Sequence, residues 1–360
     1  MILGSQWITL ETQLRSSSVH NIIFEDIEKI ASRVDCSPLE GKKILVTGGT
    51  GLIGLYFLNF FTYLIKNRNM SILVDSISKT NLREETKGNF PNVNFITFDL
   101  GASQELGFEE NYDLIIHAAG YGQPKKFLAD EITTMMLNGV ATIKLARLLK
   151  QGGTFVFLST SEIYLGSPSL PNKESDTGFI SSDHARAPYI IGKSFGETVL
   201  ASLNRSGVNT KIARIALAYG PGTKLDDERI LNQLIKRGIT EGEVRLLDQG
   251  KAVRTYCYVA DTVEMLLNIA LFGKSMTYNV GGISRITIRE LADMLGGILN
   301  VGVIGSENQA FLDSAPKEVA LDMSKYIEEF GSPKFEDLRV GLKRTIVWQR
   351  ENLYPEGKNA

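Results

Sequence analysis

From Lys42 onward, the chain alternates short apolar runs with segments long enough to form helices. The apolar runs are KKILVTG, SILVDS, VNFITFDL, YDLIIHAAG, GTFVFLSTS and KIARIALAYG. Because each run is almost entirely apolar, both faces of its strand must be covered, as they are by the helices that flank a parallel sheet. The pattern therefore predicts an α/β fold with a doubly wound parallel sheet, in which ligands bind at the carboxyl ends of the strands.

The same pattern divides the chain into three regions. Residues 1–41 form an N-terminal helical extension, because IIFEDIEKIASRV is amphipathic; we expect this helix to pack on the main domain or on a partner subunit. Residues 42–215 carry the strand and helix alternation. Beyond them this alternation becomes less regular. We therefore predict that residues 216–350 form mainly a smaller C-terminal substrate-binding lobe, with elements that return to the first domain. The apolar face of the extension comprises Ile22, Ile23, Ile27 and Ile30.

Charge and composition exclude several functional classes. The 360 residues carry a net charge of −2 with both signs interspersed, so we expect no nucleic-acid and no membrane partner. Cys36 and Cys257 lie far apart and there are only three histidines, so we predict no metal site. The longest apolar stretch, LIGLYFLNFFTYLI, is shorter than the roughly 20 residues that a membrane span needs. The first residues lack the pattern of a signal peptide, and we therefore expect a cytoplasmic protein.

A glycine-rich turn follows the first strand. In ILVTGGTGLIG, Gly48, Gly51 and Gly54 have the spacing GxxGxxG between a strand and a helix. Glycine allows the backbone to turn tightly and to approach a pyrophosphate closely, while the helix N-terminus faces the negative charge. The motif predicts a Rossmann-type domain that binds a dinucleotide.

Two aspartates follow the next two strands. Asp75 ends the run SILVD, where a carboxylate accepts hydrogen bonds from both ribose hydroxyls and repels a 2′-phosphate. It therefore favours NAD over NADP as the cofactor. Asp99 follows NFITF and is a candidate partner for the adenine, or alternatively a simple strand-end cap.

A tyrosine and a lysine are spaced one helical turn apart in RAPYIIGKSFGE. Tyr189 and Lys193 would project from the same helix face, where the ammonium group stabilises the phenolate and lowers the pKa of the tyrosine. The pair can then act as a general base toward a sugar hydroxyl while hydride leaves its carbon. The hydroxyl-rich strand end LSTS lies between the glycine loop and this helix.

These motifs together resemble the extended short-chain dehydrogenase/reductases, the nucleotide-sugar epimerase/dehydratase family. The resemblance covers nearly all of residues 42–350. It rests on VTGGTGLIG, IIHAAG, Asn138 in MLNGVATIKL, STSEIY, YIIGK, ARIALAYGPG and RTYCYVADTV, which occur in the family's order. Within the family, TSEIY from Thr160, the segment ERILNQL and Arg254 before YVAD are most similar to UDP-glucuronate decarboxylases (UDP-xylose synthases).

The resemblance implies a role for each matched residue. Tyr189 would be the base, and Lys193 would orient the ribose. Thr160 would share the hydrogen bond to the sugar O4, and Glu162 would lie beside C5 and C6. Arg254 would contact the substrate's phosphates. Alternatively, Glu162 is an ordinary loop acid and Arg254 a surface ion-pair partner.

The complete set of predicted site residues falls into three groups. The catalytic residues are Tyr189, Lys193, Thr160 and Glu162. The cofactor-binding residues are Gly48, Gly51, Leu52, Ile53, Gly54, Asp75, Asp99, Leu100, Ala118, Ala119, Gly120, Asn138, Ser159, Tyr189 and Lys193. The substrate-binding residues are Ser161, Glu162, Arg229, Asn232 and Arg254.

The chain departs from the family around the substrate. Leu217 and Gly222 replace an asparagine and an arginine, and GYGQPKKF replaces a Ser/Pro-rich loop. Lys125 or Lys126 in that loop could replace the lost phosphate contacts or could be solvated surface lysines. Ser161 stands where the related dehydratases have an aspartate, and a hydroxyl is a far poorer proton donor than a carboxylic acid.

We therefore predict an NAD-dependent enzyme that modifies a nucleotide sugar through a 4-keto intermediate. UDP-glucuronate decarboxylation is the first reading, with 4-epimerisation and 4,6-dehydration as alternatives. A non-catalytic NAD-binding sensor or scaffold on the same fold is the alternative from another class. The resemblance also implies a homodimer formed through the helix YIIGKSFGETVLASL, where Ile190, Val199 and Leu203 could serve the interface or the core.

Overall fold

The computed structural model describes residues 20–80, 87–102, 106–107, 111–306 and 316–355. Its α-helices are α1 (His20–Arg33), α2 (Leu52–Asn67), α3 (Pro124–Ala129), α4 (Glu131–Met135), α5 (Ala141–Ala146), α6 (Ala187–Arg205), α7 (Ile230–Thr240), α8 (Val259–Phe272), α9 (Ile288–Leu299), α10 (Ser324–Phe330) and α11 (Leu338–Asn352). Its strands are β1 (Lys43–Thr47), β2 (Leu73–Ser78), β3 (Val93–Thr97), β4 (Tyr112–His117), β5 (Leu149–Thr160), β6 (Asn209–Ile215), β7 (Ala218–Tyr219), β8 (Glu243–Arg245), β9 (Val253–Tyr258), β10 (Thr277–Val280), β11 (Ser284–Thr287) and β12 (Gly302–Ile304). Short 3-10 turns cover Ser37–Leu39 and Ser161–Tyr164, and a π-helical turn covers Met136–Val140.

The main sheet has seven strands in the order β10-β6-β5-β4-β1-β2-β3. Every pair in it is parallel, so all the strands end at the same edge of the sheet. The central strands are buried on both faces, which accounts for their almost continuous apolar sequences. The predicted α/β fold with a doubly wound parallel sheet is confirmed.

The part of the chain after Ala216 contributes to two smaller sheets. Strands β7, β9 and β11 form one, and β8 and β12 pair in the other. Strand β10 returns to the main sheet and pairs with β6. The smaller lobe and the main sheet are therefore interleaved in sequence, and the boundaries 42–215 and 216–350 stay a prediction.

The N-terminal helix α1 packs on the rest of the chain. Ile22, Ile27 and Ile30 are almost fully buried, and the helix contacts α2 and α8. The extension thus follows the first of the two alternatives, packing on the main domain. Residues 1–19 of the predicted extension lie outside the described residues.

One buried carboxylate fixes this helix. Asp26 accepts hydrogen bonds from the hydroxyls of Tyr56 at 2.9 Å and Tyr258 at 2.8 Å, and from the Arg344 guanidinium at 2.8 Å. Burial raises the pKa of Asp26, and the charge of Arg344 opposes that shift. Because these partners come from α2, from β9 and from α11, the carboxylate joins three distant segments of the chain.

Among the helices of the described residues, none is both long and apolar enough to cross a membrane.

Candidate active site

The glycine loop fills the space between β1 and α2. Helix α2 begins at Leu52, with Gly51 as its N-cap, and Gly48 has a φ of 71°. A Cβ atom on Gly54 would lie 2.2 Å from the Gly48 carbonyl oxygen, and one on Gly48 would lie 2.7 Å from the Ala119 nitrogen. No larger residue fits at these two positions. The helix N-terminus therefore meets the neighbouring strand ends at close range.

A cleft of about 740 Å³ opens at this edge of the sheet. It lies over the ends of β1, β2 and β4, and the segment that follows β7 forms its opposite side. The predicted cofactor residues that line it are Gly48, Gly51, Leu52, Ile53, Gly54, Asp99, Leu100, Ala118, Ala119 and Gly120. The structure thus brings together ten residues from three separate segments of the chain.

The prediction that Asp75 ends its strand is wrong. Strand β2 continues to Ser78, so Asp75 lies inside the strand rather than at its end. Its carboxylate is buried and accepts hydrogen bonds from the Tyr112 hydroxyl at 2.6 Å and from Asn94 Nδ2 at 2.9 Å. It does not line the cleft. In this structure Asp75 contacts its neighbours in the main sheet, and its contact with the ribose of NAD stays a prediction.

Residues that the sequence analysis missed occupy the end of β2. Ser78, Lys79 and Thr80 line the cleft, and Lys79 Nζ lies 3.0 Å from the carboxylate of Asp99. Only the register between β1 and β2, in which Ile77 pairs with Thr47, identifies this strand end. The apolar run alone does not show where the strand stops.

Tyr189 and Lys193 project from the first turns of α6. The Tyr189 phenol forms a hydrogen bond with the hydroxyl of Thr160. Burial, and then the charge of Glu162, raise the pKa of Tyr189 well above its ordinary value. Lys193 donates from Nζ to the Leu158 carbonyl at 2.6 Å, and burial lowers its pKa to about 7. The expected lowering of the tyrosine pKa is not found, because Tyr189 is buried and this hydrogen bond of Lys193 goes to the strand.

The ring of Phe127 is stacked on the ring of Tyr189. Phe127 lies in α3, within the segment GYGQPKKF that departs from the family. The rings of Phe127 and Tyr189 have centroids 4.5 Å apart and planes 5° apart. The guanidinium of Arg186 lies 5.4 Å from the Phe127 ring. Neither Phe127 nor Arg186 was among the site residues predicted from the sequence. Arg186 could have been found, because it precedes Tyr189 by three residues, whereas the position of Phe127 depends on tertiary packing.

Glu162 is the centre of a charged cluster at the other end of the site. It follows β5 in a 3-10 turn, and Arg186 Nη1 donates to its two carboxylate oxygens at 3.0 and 2.8 Å. Burial raises the pKa of Glu162, while the charges of Arg186 and Arg254 oppose that shift. Arg254 also donates from Nη1 to the Val253 carbonyl at 2.8 Å. One guanidinium group is therefore paired with the Glu162 carboxylate, and the charge of a second acts on it.

A second cavity of about 300 Å³ adjoins this cluster. Ser161 and Glu162 line one side of it, and Lys317 and Glu318 line the other. Thr160, whose Oγ1 accepts a hydrogen bond from the Glu162 nitrogen at 3.2 Å, connects the turn to β5. The Ser-Glu pair thus faces a pocket, as expected of substrate-binding residues.

Two of the predicted cofactor residues lie behind the cleft surface. The Ser159 hydroxyl donates to Glu197 at 2.5 Å, so its side chain points away from the cleft. Asn138 is fully buried in the π-helical turn and donates to the Thr134 carbonyl at 2.8 Å. Within the described part of the chain, its Oδ1 has no hydrogen-bond partner. That oxygen lies 3.3 Å from where a Cβ on Gly120 would stand.

Arg229 and Asn232, the two predicted substrate residues at the start of α7, have different surroundings. Arg229 lines the large cleft, and its guanidinium is held by Asp227. Asn232 is buried, accepts a hydrogen bond from Gln349 at 3.1 Å and lines neither cavity. The Asn232 amide joins α7 to α11 in this structure, and its contact with the substrate stays a prediction.

This arrangement defines a class: a Rossmann-type fold with a glycine loop between β1 and α2 and a tyrosine-lysine pair on α6. The sequence profile of the NAD dependent epimerase/dehydratase family matches residues 44–281, and the chain belongs to that family. The resemblance described above is thereby confirmed, and the chain is an NAD-dependent enzyme.

Individual relatives agree with this assignment. UDP-glucuronic acid decarboxylase 3 of Arabidopsis thaliana is 28% identical over 310 residues, covering 85% of this chain and 88% of its own. The dTDP-glucose 4,6-dehydratase DesIV of Streptomyces venezuelae, solved with NAD, has a TM-score of 0.72 and 23% identity, covering 86% of this chain and 97% of its own. MoeE5 with UDP-glucuronic acid and NAD has a TM-score of 0.71 and 23% identity, with 86% and 100% coverage.

The shape and the polar groups of the cleft fit NAD. The two glycine positions without room for a side chain allow a pyrophosphate to reach the N-terminus of α2. The buried Oδ1 of Asn138, which has no partner among the described residues, lies next to Gly120 on the cleft lining. Main-chain groups of the glycine loop would hold the phosphates, and the strand end at Ser78–Thr80 would hold the adenosine half.

Proposed function

We propose that this protein is a decarboxylase of a nucleotide-linked uronic acid, with UDP-glucuronate as the substrate. The observation that carries the proposal is the charged cluster at the sugar end of the site. Glu162 has one negative charge, whereas Arg186 and Arg254 have two positive charges, so these three side chains together carry one positive charge. A carboxylate at C6 of the sugar would balance it.

The similarity to UDP-glucuronic acid decarboxylases over most of both chains supports this substrate. The resemblance implied that Arg254 contacts the phosphates. Because the charge of Arg254 also acts on Glu162, we assign Arg254 to the sugar carboxylate.

The first step needs a base at the sugar O4. NAD, when bound, supplies the hydride acceptor for the sugar C4. Tyr189, hydrogen-bonded to Thr160, would take the O4 proton, and Phe127 would hold the phenol ring in its plane. The raised pKa of Tyr189 means that the residue has to lose its proton to a relay before it can act, and a neighbouring positive charge would stabilise the resulting phenolate.

The second step follows from the chemistry of the product. A ketone at C4 places the C6 carboxylate β to a carbonyl, so that the C5–C6 bond breaks, CO2 leaves and the electron pair moves onto O4. The Tyr189 hydroxyl and Thr160 are the groups beside that oxygen. A proton then adds at C5, and hydride returns to C4. Ser161 is adequate here because no hydroxyl leaves C6, whereas a dehydratase needs an acid for that leaving group.

The test is product identification. The purified protein with NAD+ is incubated with UDP-glucuronate and, separately, with UDP-glucose or dTDP-glucose. We expect CO2 and a five-carbon nucleotide sugar from the first and no product from the others. A six-carbon C4 epimer or a 4-keto-6-deoxy sugar without CO2 would replace this proposal with epimerase or dehydratase activity. Absence of any turnover, with unchanged NAD binding in Tyr189→Phe, would favour a sensor.

The charged cluster can be tested separately by binding. Arg254→Met should weaken UDP-glucuronate binding about tenfold or more, and leave UDP-glucose binding within about twofold. Equal losses for the two nucleotide sugars would place Arg254 on the diphosphate instead.

We also propose that the protein is a homodimer formed through α4 and α6. Four apolar side chains are exposed on this face: Leu128 and Ile132 on one side, and Ile191 and Phe195 on α6. Ile190, named above as a candidate, is buried and belongs to the core. Phe195→Asp should yield monomers in sedimentation experiments, whereas Ile283→Asp, which changes an exposed isoleucine elsewhere, should not. A cytoplasmic location stays a prediction from the sequence.

A further inference from the structure

Three lysines surround the mouth of the large cleft, and their partners differ. Lys125 pairs with Glu228 at 2.6 Å, and Lys126 pairs with Asp226 at 2.8 Å. Lys224 Nζ instead lies 3.4 Å from the Thr50 hydroxyl in the glycine loop. Over the residues that the structure describes, no carboxylate is within ion-pair distance of it.

The backbone before Lys224 is fixed against α2. Gly222 has a φ of 92°, and a Cβ there would lie 2.8 Å from Leu55 Cδ2 in the first turn of α2. Thr223 is buried, and its hydroxyl donates to the Gly220 carbonyl at 2.9 Å. The glycine that replaces the family's arginine therefore permits a close approach of the smaller lobe to the glycine loop, and this approach brings Lys224 over it.

The electrostatic environment of Lys224 favours an anion. Burial, and then the charge of Lys126, lower the pKa of Lys224, and only Asp226 opposes them. Both lysines line the same cleft as Gly51 and Leu52, where the amide groups of the first turn of α2 are directed. A phosphate placed between them would relieve the repulsion and accept the helix N–H groups at the same time.

We propose that Lys224 is a direct ligand of the NAD pyrophosphate. It reaches the cofactor from the smaller lobe, so that the dinucleotide is held between the glycine loop on one side and a lysine on the other. Cofactor binding then stabilises the position of the segment after β7, which also carries Arg229. The inference concerns the cofactor, and it does not depend on which sugar is the substrate.

The experiment measures binding rather than turnover. Dissociation constants of NAD+, ADP-ribose and UDP are determined by calorimetry for the full chain and for Lys224→Ala. We expect NAD+ and ADP-ribose, which share the pyrophosphate, to bind about ten to a hundredfold more weakly to the variant. UDP binding should change by less than about threefold. Lys224→Arg should recover most of the loss, since it retains the charge.

Lys125→Ala is the matched control, because it removes the same charge at the cleft mouth from a side chain that does not line the cleft. It should leave ADP-ribose binding nearly unchanged. If Lys224→Ala and Lys125→Ala weakened ADP-ribose binding equally, the effect would come from the total positive charge at the cleft mouth, and the proposal would be overturned. So would a loss confined to UDP, which would assign Lys224 to the substrate, or no loss at all. Lys224→Gln provides a second variant if the alanine variant fails to fold.

Discussion

Different forces build the cofactor cleft and the charged cluster around Glu162, which we propose as the sugar end of the site. The cleft is formed by main-chain groups at the ends of parallel strands and by glycines packed at contact distance. The sugar end is formed by charged side chains from separate segments, with Glu162 and Arg186 paired and Arg254 nearby. The first region therefore depends on size and backbone conformation, and the second depends on the balance of charge.

Tyr189→Phe should produce the largest effect, because it removes the hydroxyl of the proposed base. Turnover should fall by about a thousandfold, the usual contribution of general acid-base catalysis. NAD+ affinity should stay within about twofold, which calorimetry can measure. A variant with more than a tenth of the original turnover would show that another residue is the base.

Gly54→Ala tests the dependence of the cofactor cleft on size. Because the new Cβ would stand 2.2 Å from the Gly48 carbonyl oxygen, we expect a loss of about 2–4 kcal/mol in the free energy of unfolding and no measurable NAD+ binding. Gly122→Ala is the control, since nothing lies within 4 Å of its Cβ position. Similar behaviour of the two variants would contradict the account of the loop.

Lys193 gives the site a dependence on pH. Its pKa is lowered from 10.5 to about 7, so between these values the unfolded chain binds a proton that the folded chain does not. The free energy of unfolding should therefore rise with pH above about 7, by at most about 1.4 kcal/mol per pH unit. Lys193→Met should remove this rise in denaturant titrations at pH 6, 7.5 and 9. An unchanged slope in the variant would assign the effect to other groups.

Asp75→Asn should produce the smallest functional effect. Loss of the charge-assisted hydrogen bond from Tyr112 should lower the free energy of unfolding by about 1–3 kcal/mol. NAD+ affinity should remain within about twofold, because the carboxylate does not reach the cleft. A large loss of NAD+ binding in a variant of normal stability would instead support the contact between Asp75 and the ribose that the sequence predicts.

The two regions also differ in how far the sequence predicted them. Gly48, Gly51 and Gly54 were correctly placed because their role is a backbone requirement that local spacing expresses. Asp75 was misplaced because the end of β2 is set by its register with β1, which involves residues about thirty positions apart.

The sugar end depends on longer-range contacts. Arg186 contacts Glu162 across 24 residues, and Phe127 reaches Tyr189 from a loop about 60 residues earlier. No spacing rule links such pairs. The surroundings of Asn232 likewise depend on a distant residue, since its partner Gln349 lies on α11.

The fate of the sugar's C6 carbon tests the central claim most directly. UDP-glucuronate labelled with 13C at C6 is added to the protein with NAD+ and followed by NMR, with Tyr189→Phe as the control. We predict that the label appears as bicarbonate and CO2 in step with a five-carbon nucleotide sugar, and that it stays in UDP-glucuronate with the variant. Label retained in a six-carbon product of the unaltered protein would contradict the account.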